Sequence, residues 1–171
     1  MRRAEAVLGP DCRGIQLDFD QKLRRVNHET IARILLALFC GVQGLSTALI
    51  DLNRTHATHP RWIGHARFHV VWQTSTVLVL SVLEIALVLT RGPLLEQRFY
   101  IAAMLAAVPM LGFFAALTTR SFYSGTLSDP EGIPPSAVRI FGIPFRIDLN
   151  LAAEVLGVLS LVAIIAIYHS R

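Results

Sequence analysis

The sequence predicts an all-α integral membrane protein, a four-helix bundle with an N-terminal polar or amphipathic leader. The chain of 171 residues is 53% hydrophobic and only 16% charged, with a mean hydropathy of +0.52, whereas soluble domains carry about 25% charged residues. Four apolar segments each have the roughly 20 residues that a helix needs to cross a ~30 Å hydrocarbon layer. The intervals between them contain turn-forming runs such as Arg91-Gly92-Pro93.

The predicted domains are a leader, residues 1–28, and a transmembrane domain, residues 29–171. The leader lacks the apolar core of a cleaved signal peptide. Its interspersed apolar residues indicate a short helix on the membrane surface, and Asn27 is the predicted N-cap of the next helix. The predicted spans cover residues 31–50, 68–89, 99–117 and 149–168.

The connections predict how the spans are arranged. A short histidine-rich connection makes the first two spans adjacent and antiparallel, and Pro109 should kink the third. The longest connection, residues 119–147, begins with turn chemistry. It continues as an apolar stretch interrupted by Arg139 and Arg146, which we expect to lie in the membrane interface.

Four spans place both termini on one side of the membrane, and the distribution of basic residues favours the cytoplasmic side. Ten Lys and Arg would lie on the side of the termini and six on the other. The ten are Arg2, Arg3, Arg13, Lys22, Arg24, Arg25, Arg33, Arg91, Arg98 and Arg171, and the six are Arg54, Arg61, Arg67, Arg120, Arg139 and Arg146. The modest net charge of +4 shows no dense basic run, so nucleic-acid binding is not predicted.

Polar residues of the second span share one side of a helix. At about 100° per residue, they fall in a sector roughly 100° wide: His65, His69, Gln73, Thr76 and Glu84. Because such a stripe cannot face lipid cheaply, it should face protein or a water-filled pocket. A second stripe on the first span, Cys40, Gln43, Thr47 and Asp51, ends near the same histidines.

Glu84 is the candidate proton-transfer group. A charged side chain in mid-span costs about 2.5–3.5 kcal/mol, and desolvation favours the neutral acid, which can exchange a proton with an apolar substrate. The alternative is a protonated Glu84 hydrogen-bonded to Gln43 or Thr47 to fix helix packing.

The remaining candidates are expected at one mouth of the bundle. His65 and His69 are the predicted catalytic partners of Glu84. The predicted ligand-binding residues are Gln43, Thr47, Asp51, Arg67, Trp72, Gln73, Asp148, Asn150 and Glu154. For Arg67 an ion pair with Asp51 or Asp148 is favoured over an anionic headgroup, and for Trp72 lipid contact or core packing over a pocket.

A metal site is the alternative chemistry for the histidines. His56 and His59 are spaced i, i+3, and His65 and His69 are spaced i, i+4, so each pair could chelate one divalent ion with an aspartate as further ligand. The competing interpretation is a hydrogen-bonded cluster that orders the loop.

The histidine segment also resembles a known kind of protein. Asp-Leu-Asn-Arg-Thr-His (51–56), His-Pro-Arg-Trp (59–62) and His-Ala-Arg-Phe-His-Val-Val-Trp (65–72) resemble small, largely uncharacterised bacterial four-span membrane proteins, distantly DoxX-like in layout. The resemblance covers mainly residues 30–90. It implies a compact bundle in the bacterial inner membrane and carries no activity to transfer.

Three functions follow as hypotheses. The leading one is a pocket, lined by histidine and carboxylate groups, that binds a small hydrophobic molecule such as a lipid, quinone or isoprenoid. A stronger version of this hypothesis is that the protein also transforms the bound molecule. The second is a non-catalytic accessory subunit of a larger membrane complex. The third is a histidine-ligated metal site at the outer membrane face. In every case the lipid bilayer is a partner.

Overall fold

The computed structural model describes residues 10–140 and 143–170, with side chains for residues 28–139 and 143–170. Four helices dominate it: α1 (Pro10–Asp51), α2 (Gly64–Leu89), α3 (Leu95–Thr119) and α4 (Leu149–His169). A 3₁₀ turn (Arg120–Tyr123) follows α3, and a hairpin of β1 (Ser136–Ile140) and β2 (Ile143–Ile147) precedes α4. The predicted all-α four-helix bundle is confirmed.

All four helices are long and apolar enough to cross a membrane. The qualifying segments are His28–Asp51, Gly64–Leu89, Leu95–Tyr123 and Leu149–His169, and each predicted span lies inside one of them. Most of the large aliphatic side chains on their outer faces are exposed, as expected where lipid replaces water as the solvent.

The leader differs from the prediction. Residues 10–27 continue the first span as one helix, so α1 has 42 residues and is ~63 Å long at 1.5 Å per residue. The prediction that Asn27 caps a new helix is therefore wrong, because the backbone shows no break there. Residues 1–9 lie outside the described part of the chain.

The helices are neighbours in cyclic order. α1 packs against α2 and α4, and α3 packs against the same two helices, while α1 and α3 touch little across the diagonal. Small and medium side chains fill the centre, among them Ala32, Leu36, Cys40, Ala102, Ala103 and Ala106. Such residues allow helix backbones to approach closely where no hydrophobic force acts between them.

The two ends of the bundle are closed differently. At the end where α4 finishes, the rings of Phe99 and Tyr168 stack at 4.0 Å between centroids, and Tyr100 Oη lies 2.7 Å from His169 Nε2. At the other end lie the connection between α1 and α2, which we call the histidine loop (residues 52–63), and the long connection between α3 and α4.

Candidate functional site

The histidine loop starts with a set of local hydrogen bonds. The Asn53 side chain donates to the Leu49 carbonyl at 2.6 Å and accepts from the Thr55 N–H at 2.7 Å, which turns the chain out of α1. Asp51 accepts from Thr74 Oγ1 at 3.3 Å and lies 3.5 Å from His56 Nδ1. Asp51 thereby links the end of α1 to α2.

His59 anchors the loop to the long connection. Its side chain is only 2% exposed, and its Nδ1 accepts the Arg61 N–H at 3.3 Å. Its Nε2 is buried, has no hydrogen-bond partner among the described residues and lies 3.6 Å from Asp129 Oδ2. Beside it, Arg61 forms an ion pair with Glu131. The structure therefore places His56 and His59 in a loop that is ordered by local hydrogen bonds and by the Arg61–Glu131 ion pair.

Arg67 contacts neither predicted aspartate. Its guanidinium donates to the His59 carbonyl at 2.7 Å. Asp51 contacts Thr74 and His56 instead. Asp148 caps α4 by accepting the Leu151 N–H at 3.0 Å. The prediction of an Arg67–Asp51 or Arg67–Asp148 ion pair is wrong, because the loop turns its carbonyl groups toward the arginine.

The polar stripe of α2 is split between two environments. Glu84 is buried, whereas the other four members are exposed; we call these four, His65, His69, Gln73 and Thr76, the outer stripe. The buried face of α2 consists of Thr74, Val77, Ser81, Glu84 and Val88. Its centre is ~90° around the helix from the centre of the predicted stripe, and Glu84 lies where the two sectors meet. The expectation that the whole stripe faces the interior is wrong.

Distance along the helix separates the proposed catalytic groups as well. Glu84 lies fifteen positions beyond His69, which is ~22 Å at the α-helical rise. His65 is a further turn away, and Trp72 is 59% exposed on the outside. The structure does not bring Glu84, His65 and His69 together in one site as predicted.

The four histidines do not meet either. Nε2 of His65 lies 3.1 Å from Nε2 of His69 on the exposed side of α2, while His56 faces Asp51 and His59 faces Asp129. Among the described residues, no three His, Cys, Asp or Glu side chains are grouped so that they could hold a metal ion. The predicted four-histidine ligand set is thus not brought together.

The stripe of α1 does face the interior. Cys40 is fully buried, and the Gln43 amide donates to the Ala106 carbonyl of α3 at 3.1 Å. Thr47 Oγ1 donates to the Gln43 carbonyl at 2.9 Å within its own helix. These contacts fix the packing of α1 and do not leave free polar groups around a cavity.

Glu84 is the exception inside the bundle. It is 1% exposed, and neither carboxyl oxygen has a hydrogen-bond partner of normal geometry among the described residues. The Cys40 thiol of α1 lies within interaction range of the carboxyl. Since thiols are weak donors, the carboxyl is poorly compensated, and neither predicted partner, Gln43 or Thr47, bonds to it in the described structure.

The remaining candidates are at the loop end. The Asn150 side chain donates to the Leu127 carbonyl at 3.2 Å, which ties α4 to the long connection, and Glu154 is half-buried on α4. A shallow open groove lies nearby at the end of α3, but no predicted site residue lines it. Its lining is Phe113, Ala116, Leu117, Arg120, Tyr123, Gly125, Thr126 and Leu127.

Three residues that matter here were not identified from the sequence: two that hold the histidine loop and one at the contact between α1 and α2. Asp129 and Glu131 anchor the histidine loop from about 70 residues away, and no local signal marks them. Ser81 was detectable, because it lies three residues before Glu84 on a small-residue face that meets Gly44.

Comparison with protein-family models, with curated proteins and with solved structures finds no match. The similarity to DoxX-like proteins therefore stays a prediction.

Proposed function

We propose that this chain is a membrane-embedded accessory subunit that packs against a helix of another membrane protein through the outer stripe of α2. The observation that carries the proposal is the exposure of that stripe on a segment of membrane-spanning length and hydropathy. Polar side chains within a bilayer usually face protein or water, because lipid offers them no hydrogen bonds.

Gln73 is the strongest element of the stripe. Thr76 satisfies its hydroxyl with the Trp72 carbonyl of its own helix at 3.0 Å, and His65 and His69 contact each other. No described residue hydrogen-bonds to the Gln73 amide, which lies ~13 Å beyond the start of α2. An amide at that depth is expected to bond to a side chain of a neighbouring helix.

The surroundings of Gln73 fit a helix interface. Small Thr76, on the same side of α2 as Gln73, allows a second backbone to approach, and exposed Trp72 at the edge of the stripe supplies contact area. The surface is the outer side of one helix, which suits a partner helix better than an enclosed small molecule. The basic-residue distribution supports cytoplasmic termini, and the resemblance of the histidine segment supports a bacterial inner membrane.

A photoreactive amino acid at position 73, irradiated in native membranes, tests the proposal. The matched control is position 162 on α4, where Val162 is also exposed on the outside of the bundle. We expect an adduct with a different membrane protein from position 73 and lipid adducts from position 162. Lipid adducts alone at both positions would refute the interface. An adduct of twice the chain mass would show that the stripe contacts a second copy of this chain, and the accessory-subunit proposal would give way to a homo-oligomer.

We propose binding of a small hydrophobic molecule as the second candidate, now centred on Glu84 alone. Its support is the buried carboxyl with no well-formed hydrogen bond among the described residues, which is available to an acceptor or donor group of a ligand. Mass spectrometry of molecules that co-purify with the detergent-solubilised protein tests it. Glu84→Gln should lose the ligand and His69→Ala, ~22 Å away, should keep it. A folded Glu84→Gln bundle with unchanged content would remove this candidate.

A further inference from the structure

The hairpin before α4 has one apolar face and one basic face. β1 and β2 pair antiparallel, with Val138 opposite Phe145 and Ala137 opposite Arg146. Because side chains alternate across a strand, Val138, Phe145 and Ile143 share one face. Arg139 and Arg146 share the other.

The apolar face of the hairpin does not pack on the bundle. Phe145 is 47% exposed and Ile143 is 58% exposed. No described acidic residue forms an ion pair with Arg139 or Arg146. A two-stranded hairpin is marginally stable by itself in water and needs a further surface to pack against.

The chain keeps this hairpin at the membrane surface. β2 ends at Ile147, Asp148 caps the next helix, and the membrane-spanning α4 begins at Leu149. A five-residue strand is ~16 Å long, so no part of the described hairpin is far from the level at which α4 enters the bilayer. The lipid around the bundle is therefore within reach of its apolar face.

We propose that the hairpin lies in the headgroup region and that Arg139 and Arg146 bind the phosphate of anionic phospholipids. The two arginines are diagonal neighbours on the ladder, which lie about 7–8 Å apart with their Cβ atoms somewhat closer, so both guanidinium groups can reach one phosphate. Arginine matches phosphate oxygens with paired N–H donors. The apolar face enters the acyl boundary, and the long arginine side chains extend to the phosphates.

Short-chain phosphatidylglycerol, titrated into the detergent-solubilised full-length protein and followed by native mass spectrometry, tests the assignment. Electrostatic attraction predicts about a fivefold loss of affinity per arginine removed, or about 25-fold for Arg139→Gln/Arg146→Gln. The control Arg54→Gln/Arg120→Gln removes the same charge from exposed positions at the same end of the bundle. Because these two arginines lie outside the hairpin, the control should lose clearly less affinity than the hairpin variant. Phosphatidylcholine and inorganic phosphate should bind weakly to all forms.

Three results would overturn the proposal. The first is an unchanged affinity for phosphatidylglycerol in the hairpin variant, and the second is an equal loss of that affinity in the hairpin and control variants. The third is a hairpin variant that keeps its bound lipid but loses a protein that co-purifies with the wild type. Amide hydrogen exchange over residues 136–147 reports whether the glutamine variant still forms the hairpin. If it does not, the Arg139→Lys/Arg146→Lys variant decides, because lysine retains the charge and, although it lacks the paired donors, should keep the part of the preference for phosphatidylglycerol that comes from charge. Loss of that preference in a hairpin that remains protected would also refute the site.

Discussion

Replacing Gly44 with alanine would place a methyl group where α1 and α2 touch. A Cβ at this position would lie 2.6 Å from Ser81 Oγ and 2.8 Å from Ser81 Cβ. The hydroxyl can rotate away, but the Ser81 Cβ is fixed to its backbone. The two helices would have to separate by ~0.6 Å to bring the two carbons to the 3.4 Å of an ordinary contact.

The cost of this change can be set against its benefit. Overpacking a close contact costs about 1–3 kcal/mol, while alanine is favoured over glycine in a helix by about 1 kcal/mol. Gly112→Ala isolates the second effect, since Gly112 lies inside α3 with nothing within 4 Å of the new methyl group. We expect Gly44→Ala to be less stable than Gly112→Ala by about 1–3 kcal/mol in the free energy of unfolding.

Unfolding in mixed micelles, followed by helical ellipticity as SDS is raised, measures the difference. A rescue variant sharpens the test: Gly44→Ala/Ser81→Gly moves the small residue to the other helix and should recover part of the loss, as a double-mutant cycle reports. Equal stability of the two alanine variants, or no recovery in the double variant, would refute the close contact between α1 and α2 at this level.

Three further changes probe single contacts by the same unfolding assay. Asp148→Ala removes the side chain that caps the first turn of α4 and should cost about 0.5–2 kcal/mol, while Asp148→Asn, which can still cap, should cost little; equal losses would argue against the cap. Glu131→Gln breaks the exposed ion pair with Arg61 and should change stability by less than about 1 kcal/mol; a larger loss would mean that the pair is held more rigidly than its exposure implies. Gln43→Leu removes the amide that donates to a backbone carbonyl of α3 and should cost about 0.6–1.7 kcal/mol; a gain in stability would show that this bond does not contribute.

The number and approximate positions of the helices could be predicted, because the thickness of the bilayer fixes the minimum length of a spanning helix and the surrounding lipid requires its residues to be mostly apolar. The ends of the helices were predicted less well: α2 begins at Gly64, one turn before the predicted span, and α1 continues through Asn27 into the leader. A residue such as Asn27 can cap the start of a helix. It does not require a helix to start there, because the preceding residues can be helical as well.

The rotation of α2 shows why the site was predicted less well than the fold. Polarity was taken as the mark of the inner face, although association in a membrane depends on close packing of small side chains. Gly44 and Ser81 were the better guides, because their contact turns Glu84 inward and leaves Gln73 outside. The hairpin had a signal as well, since apolar residues and arginines alternate with a period of two near residues 138 and 146, which is typical of a strand.

The distribution of satisfied and unsatisfied polar groups locates what folding alone does not explain. Inside the bundle Gln43, Ser81 and Thr74 all have partners, so their polarity is accounted for by packing, and the carboxyl of Glu84 is the exception among the described residues. Outside it, Gln73 on α2 and the arginines of the hairpin have none among the described residues. A protein that used only its interior would gain nothing from polar groups on a lipid-facing surface, where each of them carries a cost. Two of the proposed partners of this protein therefore belong on its outer surface, a neighbouring helix beside α2 and the headgroups beside the hairpin, while Glu84 is the place in the interior where a ligand would bind.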